Sequence, residues 1–286
     1  MQKFSLQKPF LNTARHLVLM AVSISIIIPF AWMIVTSLKT PAEIMKYPPT
    51  LLPQDPTLEN FIQVFQVETW DGRSLLLTAF LNSTIVAVST TLLGLLTCSM
   101  AGYAFAKIEF KHKNFYFWLL LVMLMIPSQI TLIPVYVIVA RLGWVDTLLP
   151  LILPVALLNP YGVFLMRQYV SGIPTAYIEA ARIDGASHWQ IFFQIVLPMI
   201  KPALITLGLL LFLGRWNDFF GPLIYLSTDS NFTLPLALNW FRGRYTTQWG
   251  LFMAASAVSV FPIVILYLLG QEQLSKGVST ISGLKM

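Results

Sequence analysis

Five stretches of this chain contain no lysine, arginine, aspartate or glutamate: Leu17 to Leu38, Ser74 to Ala106, Asn114 to Ala140, Thr147 to Met166 and Tyr245 to Gln271. A hydrocarbon core of about 30 Å is crossed by about 20 predominantly apolar residues in helical form. Lipid offers the backbone no hydrogen-bond partner, so a segment of this kind must satisfy its own N–H and C=O groups, as a helix does. Five spans follow. A sixth runs from Pro202 to about Leu223, broken only by Arg215 and Asp218, whose three-residue spacing lets them partner each other on one helix face. The expected fold class is all-α, a polytopic membrane protein with six transmembrane helices at about 17–38, 80–104, 115–139, 147–166, 202–223 and 249–270. The interval 74–106 exceeds one span, so its helix is placed late, after an amphipathic lead-in. Charged residues are only 10% of the chain, against roughly 25% in soluble domains, which excludes an ordinary soluble protein.

Lysine and arginine near the span ends set orientation. One side collects Lys3, Lys8, Arg15, Lys107, Lys111, Lys113, Arg167, Arg182, Lys201, Lys276 and Lys285; the other holds Lys39, Lys46, Arg73, Arg141, Arg242 and Arg244. The richer side is expected to be cytoplasmic, with both termini on it. The net charge of +6 is spread over these loops, which reads as topology and not as nucleic-acid affinity. The first apolar segment exceeds a signal-peptide core and lacks a small-residue cleavage site, so it is read as a retained span. Cys98 is the single cysteine and forms no intrachain disulfide. His16, His112 and His188 lack metal-ligand spacing, and no metal site is expected. No phosphate-cradling G-x-x-x-x-G-K-[ST] and no catalytic triad occurs, so no catalytic residue is expected and the chain does not hydrolyse ATP by itself. The loop Lys39 to Arg73 carries Pro41, Pro48, Pro49, Pro53 and Pro56 and is expected to form turns and extended pieces. No linker interrupts residues 1–286, which read as a single transmembrane domain.

The loop 167–201 holds the polar sequence EAARIDGASHWQIFFQIVLP at 179–198. Pro174 fits the first turn of a short helix, where its missing N–H costs nothing. Ile173, Tyr177, Ala180, Ala181 and Asp184 then recur at helical spacing, with a small, flat surface around the alanines. Gly185 ends that helix, and Ser187 with Gln190 makes a capping box for a second one. The second helix runs through Trp189, Ile191, Phe192 and Ile195 until Pro198 stops it. An interfacial hairpin merely joining two spans is one reading. Small residues beside the lone carboxylate Glu179 instead suit insertion into a protein groove. A second polar cluster, Arg215, Trp216, Asn217 and Asp218, lies within a span, where ionisable residues face the bundle interior or an aqueous cavity. It is read either as a solute contact with Trp216 as a stacking platform for a sugar ring, or as a pair holding helices together.

Glu179-Ala180-Ala181, three residues, Gly185, nine residues, then Ile195-x-Leu197-Pro198 resembles the EAA loop of the permease subunits of bacterial ATP-binding-cassette importers, matching all seven fixed positions. NSTIVAVSTTLLGLLTCSMAGYAFAK (82–107), GRWNDFFGPLIYL (214–226) and LSKGVSTISGLKM (274–286) are similar to the maltose-type carbohydrate permeases, specifically the smaller six-span partner. The resemblance implies the type I importer permease fold, with the first loop helix seated as a coupling helix in a cleft of the ATPase. Glu179 would then pair with a basic ATPase group, Ala180 and Ala181 would permit close approach and Gly185 would make the bend, with Asp184, Ile195, Leu197 and Pro198 completing the coupling set. The implied partners are a second permease, expected to be a different chain, two ATPase subunits, an extracytoplasmic solute-binding protein and membrane lipid. ATP and Mg would belong to the ATPase, leaving this chain without a cofactor in a bacterial cytoplasmic (inner) membrane. Residues 277–286 are implied to reach between the ATPases. A sugar, oligosaccharide or glycoside is the expected solute, since only Arg215 offers a path charge to a phosphate. A small polar solute such as a glycerol phosphate derivative is the alternative. Ion-coupled secondary transport would need acidic or histidine relays, for which Asp218 stands alone.

Overall fold

The computed structural model describes residues 7–243 and 248–283. Lys3, Arg244 and Lys285, which entered the orientation argument, lie outside the described residues, as do 284–286 of the tail and the side chains of Lys8 and of 272–283. In chain order the helices are α1 (Gln7–Ser37), α2 (Pro41–Ile44), α3 (Glu59–Gln66), α4 (Leu75–Lys107), α5 (Lys113–Met125), α6 (Ser128–Arg141), α7 (Leu149–Leu157), α8 (Pro160–Ser171), α9 (Thr175–Ile183), α10 (His188–Ile191), α11 (Leu197–Met199), α12 (Lys201–Trp216), α13 (Phe220–Tyr225), α14 (Leu234–Gly243) and α15 (Trp249–Gly283). Among the described residues four stretches cross a membrane by length and apolarity on their own, rising to six when each sharply bent pair counts as one span.

Several expected spans are corrected. The second is one continuous 33-residue helix, α4, begun by Ser74, whose hydroxyl accepts from the Leu77 N–H at 3.5 Å; there is no separate lead-in. The third is split at Ile126–Pro127 and bent by 106° between Lys113–Met125 and Gln129–Arg141. Proline pushes the residue before it out of the helical region, and Ile126 sits at φ −84, ψ 115. The fourth, Leu149–Ser171, is interrupted at Leu158 and Asn159, ahead of Pro160, for the same reason. The fifth ends as α12 at Trp216, resumes only as the short α13, and so falls short of Leu223 as one helix.

Contacts group the chain into two compact units, residues up to 67 with 238–260, and 68–237 with 261 onward. In the second unit α4 is the central helix, packed most extensively against α8 and then against α12 and α7. Its buried face is rich in small residues, among them Ala79, Ser83, Ala87, Thr90, Gly94, Cys98, Ser99 and Gly102. Small side chains let backbones approach closely, the main way helices associate where lipid is as apolar as leucine. A Cβ on Gly102 would lie 2.6 Å from the Met166 Cβ and 2.8 Å from the Arg167 nitrogen, and one on Gly162 would lie 2.6 Å from the Cys98 Sγ. Gly102 therefore sets α4 directly on the α8 backbone, and Gly162 on α8 makes room for the Cys98 side chain.

In the first unit the segment after α1 is more organised than its prolines suggested. The Asn60 carboxamide donates to the Ser37 carbonyl at 2.9 Å and to the Lys39 carbonyl at 2.8 Å, and the Lys39 ammonium donates to the Thr50 carbonyl. The Glu43 carboxylate accepts from the Thr50 hydroxyl at 2.6 Å and from the Gln54 N–H at 3.0 Å. The buried Lys39, Glu43 and Asn60 are satisfied by partners up to 23 positions away, which a local sequence pattern does not locate. The Thr50 hydroxyl bond, followed by the Gln54 N–H and the Lys39 charge, holds the Glu43 carboxyl below its ordinary 4.5. A depressed folded-state value means the stabilisation is complete above the unfolded value and is lost as pH falls through the folded one. Acidification below about pH 4.5 is therefore expected to loosen residues 39–60, read as faster hydrogen exchange there, while Glu43→Gln removes the pH dependence. Equal acid sensitivity in both proteins would refute this.

Candidate functional site: the 173–200 hairpin

α9 begins after Pro174 and ends in a Schellman turn. The Gly185 N–H donates to the Arg182 carbonyl at 3.0 Å and the Ala186 N–H to the Ala181 carbonyl at 2.9 Å. Gly185 holds φ +84, a left-handed value that a Cβ disfavours, yet a Cβ there would meet nothing within 4 Å. Space is not the constraint; backbone conformation is. Gly185→Ala is expected to cost about 1–2 kcal/mol, Gly185→Leu no more than that, and Gly185→Asn distinctly less, because asparagine tolerates this region. Thermal unfolding of the purified protein checks the order, and a penalty that grew with side-chain size would refute it.

The second arm opens with the expected capping box: the Ser187 hydroxyl accepts from the Gln190 N–H at 3.3 Å, and the Gln190 side chain accepts from the Ser187 N–H at 2.7 Å. Pro198 does not stop this arm. After α10 the chain widens into a π turn, Phe192–Val196, whose wide ring closes from the Leu197 N–H to the Phe192 carbonyl. The wider turn carries the chain past a residue with no N–H to give, and the helix axis breaks two residues later, at Ile200, with an 80° bend between His188–Met199 and Lys201–Trp216.

Register also differs from the expected face. Ile178, 2% exposed, is the inward anchor of α9, joining Ile173, Ile191, Phe192, Val196 and Ile200 in a core with Tyr103, Met166 and Leu207. Ala181 leans on that core, so the two alanines do not share the outer face. Glu179, Ala180, Asp184 and Gly185 are exposed, together with Tyr177 at 56% and Ile183 at 87%. Glu179 makes no ion pair with the described residues. On the second arm Ile195 and Leu197 are half-buried and Pro198 is exposed. No pattern in the sequence had singled out Ile183, which is almost wholly exposed.

The hairpin is tied to the helices behind it. The Lys107 ammonium donates to the Ile173 carbonyl at 2.6 Å, and the Tyr103 hydroxyl lies 3.2 Å from His188 Nδ1. The Arg167 guanidinium stands 3.9 Å over the Phe117 ring.

The second polar cluster is placed differently from expectation. Arg215 and Asp218 do pair, at 3.0 Å, but Asp218 lies past the end of α12, in the turn before α13, and also accepts from the Gly221 N–H at 3.2 Å. Trp216 is 3% exposed, stacked on Phe212 and edge-on to Phe80, so it is no platform for a sugar ring. Asn217 is exposed, and its carboxamide donates to the Leu213 carbonyl at 2.9 Å. A different polar feature emerges midway along Leu149–Ser171. The Thr97 hydroxyl donates to the Ala156 carbonyl at 2.5 Å and the Gly162 N–H donates to the Asn159 side chain at 2.8 Å. Leu157, Leu158 and Tyr161 are exposed at this interruption. The Asn159-Pro160 pair was its only signal in the sequence.

Residues 94–280 match the family model described as the binding-protein-dependent transport system inner membrane component. The chain is 36% identical over 265 residues to the arabinooligosaccharides transport system permease protein of Halalkalibacterium halodurans, with 91% of each chain covered. It is 31% identical to the diacetylchitobiose uptake system permease protein of Streptomyces coelicolor, covering 92% of this chain and 86% of that one. In fold it matches a chain of a bacterial ABC transporter involved in the import of the acidic polysaccharide alginate, with a TM-score of 0.83 over 95% of this chain and 99% of the other at 20% identity. With the helices, the hairpin and these matches in place, the chain belongs to the binding-protein-dependent transport system inner membrane components, the multi-pass permease subunits of ABC importers, which carry no ATPase of their own.

Proposed function

We propose that this chain is the permease subunit of an ATP-driven importer of a sugar, oligosaccharide or glycoside, and that α9 is the surface on which an ATPase subunit seats. The observation that carries the reading is the exposed set Tyr177, Glu179, Ala180, Ile183 and Asp184 on a hairpin whose opposite face is buried in the helical core. A partner with an apolar cleft and a basic group matches it. ATP and Mg are then held by two ATPase subunits, solute arrives on an extracytoplasmic binding protein, and a second permease, a different chain, completes the path. Both termini lie in the cytoplasm, the whole chain acts as one transmembrane domain, and the exposed apolar length of α1 faces lipid. The solute path follows the interruption between α7 and α8. Non-helical backbone at membrane depth is tolerated only inside protein or along water. Leu157, Leu158 and Tyr161 are exposed there, and Tyr161 offers a ring face to a sugar. Arg215 and Asp218 maintain the α12–α13 break instead. The relatives named for arabinooligosaccharides and diacetylchitobiose support the carbohydrate class.

The test is uptake of arabinooligosaccharides by vesicles containing both permeases and the ATPase, with binding protein supplied outside. Uptake is expected to require hydrolysable ATP. Uptake driven instead by an ion gradient, with ATP irrelevant, would overturn the reading.

A further inference from the structure

The last turn of α4 grips both feet of the hairpin. Tyr103 and Lys107 are four residues apart and therefore share one helix face. Tyr103 reaches His188, the first residue of the second arm, at 3.2 Å, and Lys107 reaches the carbonyl of Ile173, two residues before the first arm, at 2.6 Å. Next to Tyr103, Gly102 brings α4 against the backbone of Met166 and Arg167 on α8, the helix that feeds the hairpin. The Phe105 carbonyl accepts from Arg167 at 3.4 Å. Tyr103 also packs on Phe192, where the π turn begins, with ring centroids 5.8 Å apart.

Charge-assisted bonds of the Lys107 kind are short and resist bending. A load on α9 has two ways to go: it can flex the two-residue foot at Ile173–Pro174 and the π turn, or it can move α4 and α8 as a block. With both feet fastened to one turn of α4, flexing is suppressed. We propose that Tyr103 and Lys107 are positioning residues that make the hairpin and the α4–α8 pair one rigid lever, so that ATPase closure moves the spans and is not absorbed in the loop. This rests on the reading of α9 as the ATPase seat and adds what that seat drives.

The measurement is the ratio of solute imported to ATP hydrolysed, in vesicles holding the complete importer. Lys107→Gln and Tyr103→Phe, singly and together, leave the exposed α9 surface unchanged, so the ATPase is expected to remain bound and hydrolysis to stay within about twofold, while the double variant lowers the ratio about tenfold. Lys107→Arg is expected to restore it, since a guanidinium still donates to the Ile173 carbonyl. A role limited to stability would lower uptake and hydrolysis together and leave the ratio unchanged, which overturns the proposal. Should Lys107→Gln fail to assemble, Tyr103→Phe, which removes one oxygen, decides alone: an unchanged ratio refutes the lever. Loss of ATPase binding in wild-type vesicles, or uptake without ATP, would instead remove the seat itself and with it the function proposed above.

Discussion

Glu179→Arg is expected to abolish ATP-driven uptake, with a loss of about a hundredfold, the scale on which a single interface anchor acts. Glu179 is exposed and makes no ion pair among the described residues, on the uncovered face of α9. Removing its charge as Glu179→Ala should cost less than reversing it, because reversal sets like charges against each other in the cleft. Ile183→Asp should match the reversal, since an isoleucine 87% exposed gains most of its burial from the partner. Pulldown of the ATPase and uptake should fall together for all three, with thermal stability unchanged. Intact association in Glu179→Arg and Ile183→Asp would remove α9 as the seat.

The largest structural effect is expected at Gly102→Val, at about 3 kcal/mol or more of lost stability, the upper end of what overpacking costs in a close-fitted core. The contacts a Cβ would make, 2.6 Å to the Met166 Cβ and 2.8 Å to the Arg167 nitrogen, are with a neighbouring helix at its backbone and cannot be relieved by rotating a side chain. Gly214 provides the control. It lies inside α12, a Cβ there meets nothing within 4 Å, and Gly214→Ala should be neutral or stabilise by up to about 1 kcal/mol through helix propensity. Yield and melting temperature of the assembled complex report both. Equal melting of Gly102→Val and wild type would mean that α4 and α8 do not touch as described.

What could be read from residues alone was whatever depends on neighbours close in the chain. The Ser187–Gln190 capping box and the bend at Gly185 follow from chemistry within four residues, and both formed as expected. Apolar length marked the membrane segments, because it is a property of one stretch at a time. Features decided by distant partners were not legible. Proline in a membrane helix is compatible with a kink or a full break, and residue type does not decide between them: Pro134 and Pro262 stay inside helices, while Pro127 and Pro160 stand at breaks where a new helix begins. Ile178, which the sequence reading placed on no face, took the inward position, where its core neighbours Ile191, Phe192 and Val196 come from the other arm; Ala181, expected on the outward docking face with Ala180, leans on that core. Trp216 was lost to the candidate path because Phe80, 136 positions earlier, lies against it.

The π turn at Phe192–Val196 also determines which changes of length the hairpin survives. A π turn is an α turn carrying one surplus residue. Deleting the exposed Phe193 would let the segment close as ordinary helix, and residues on one side of the cut would rotate by about 100° relative to those on the other. Val196 and Ile200 would leave the core and Pro198 would meet the carbonyl it now avoids. Substitutions on the outer side of this arm are therefore permissive, whereas insertions and deletions are not. Hairpins grafted between relatives should function only when the residue count between Gly185 and Ile200 is kept.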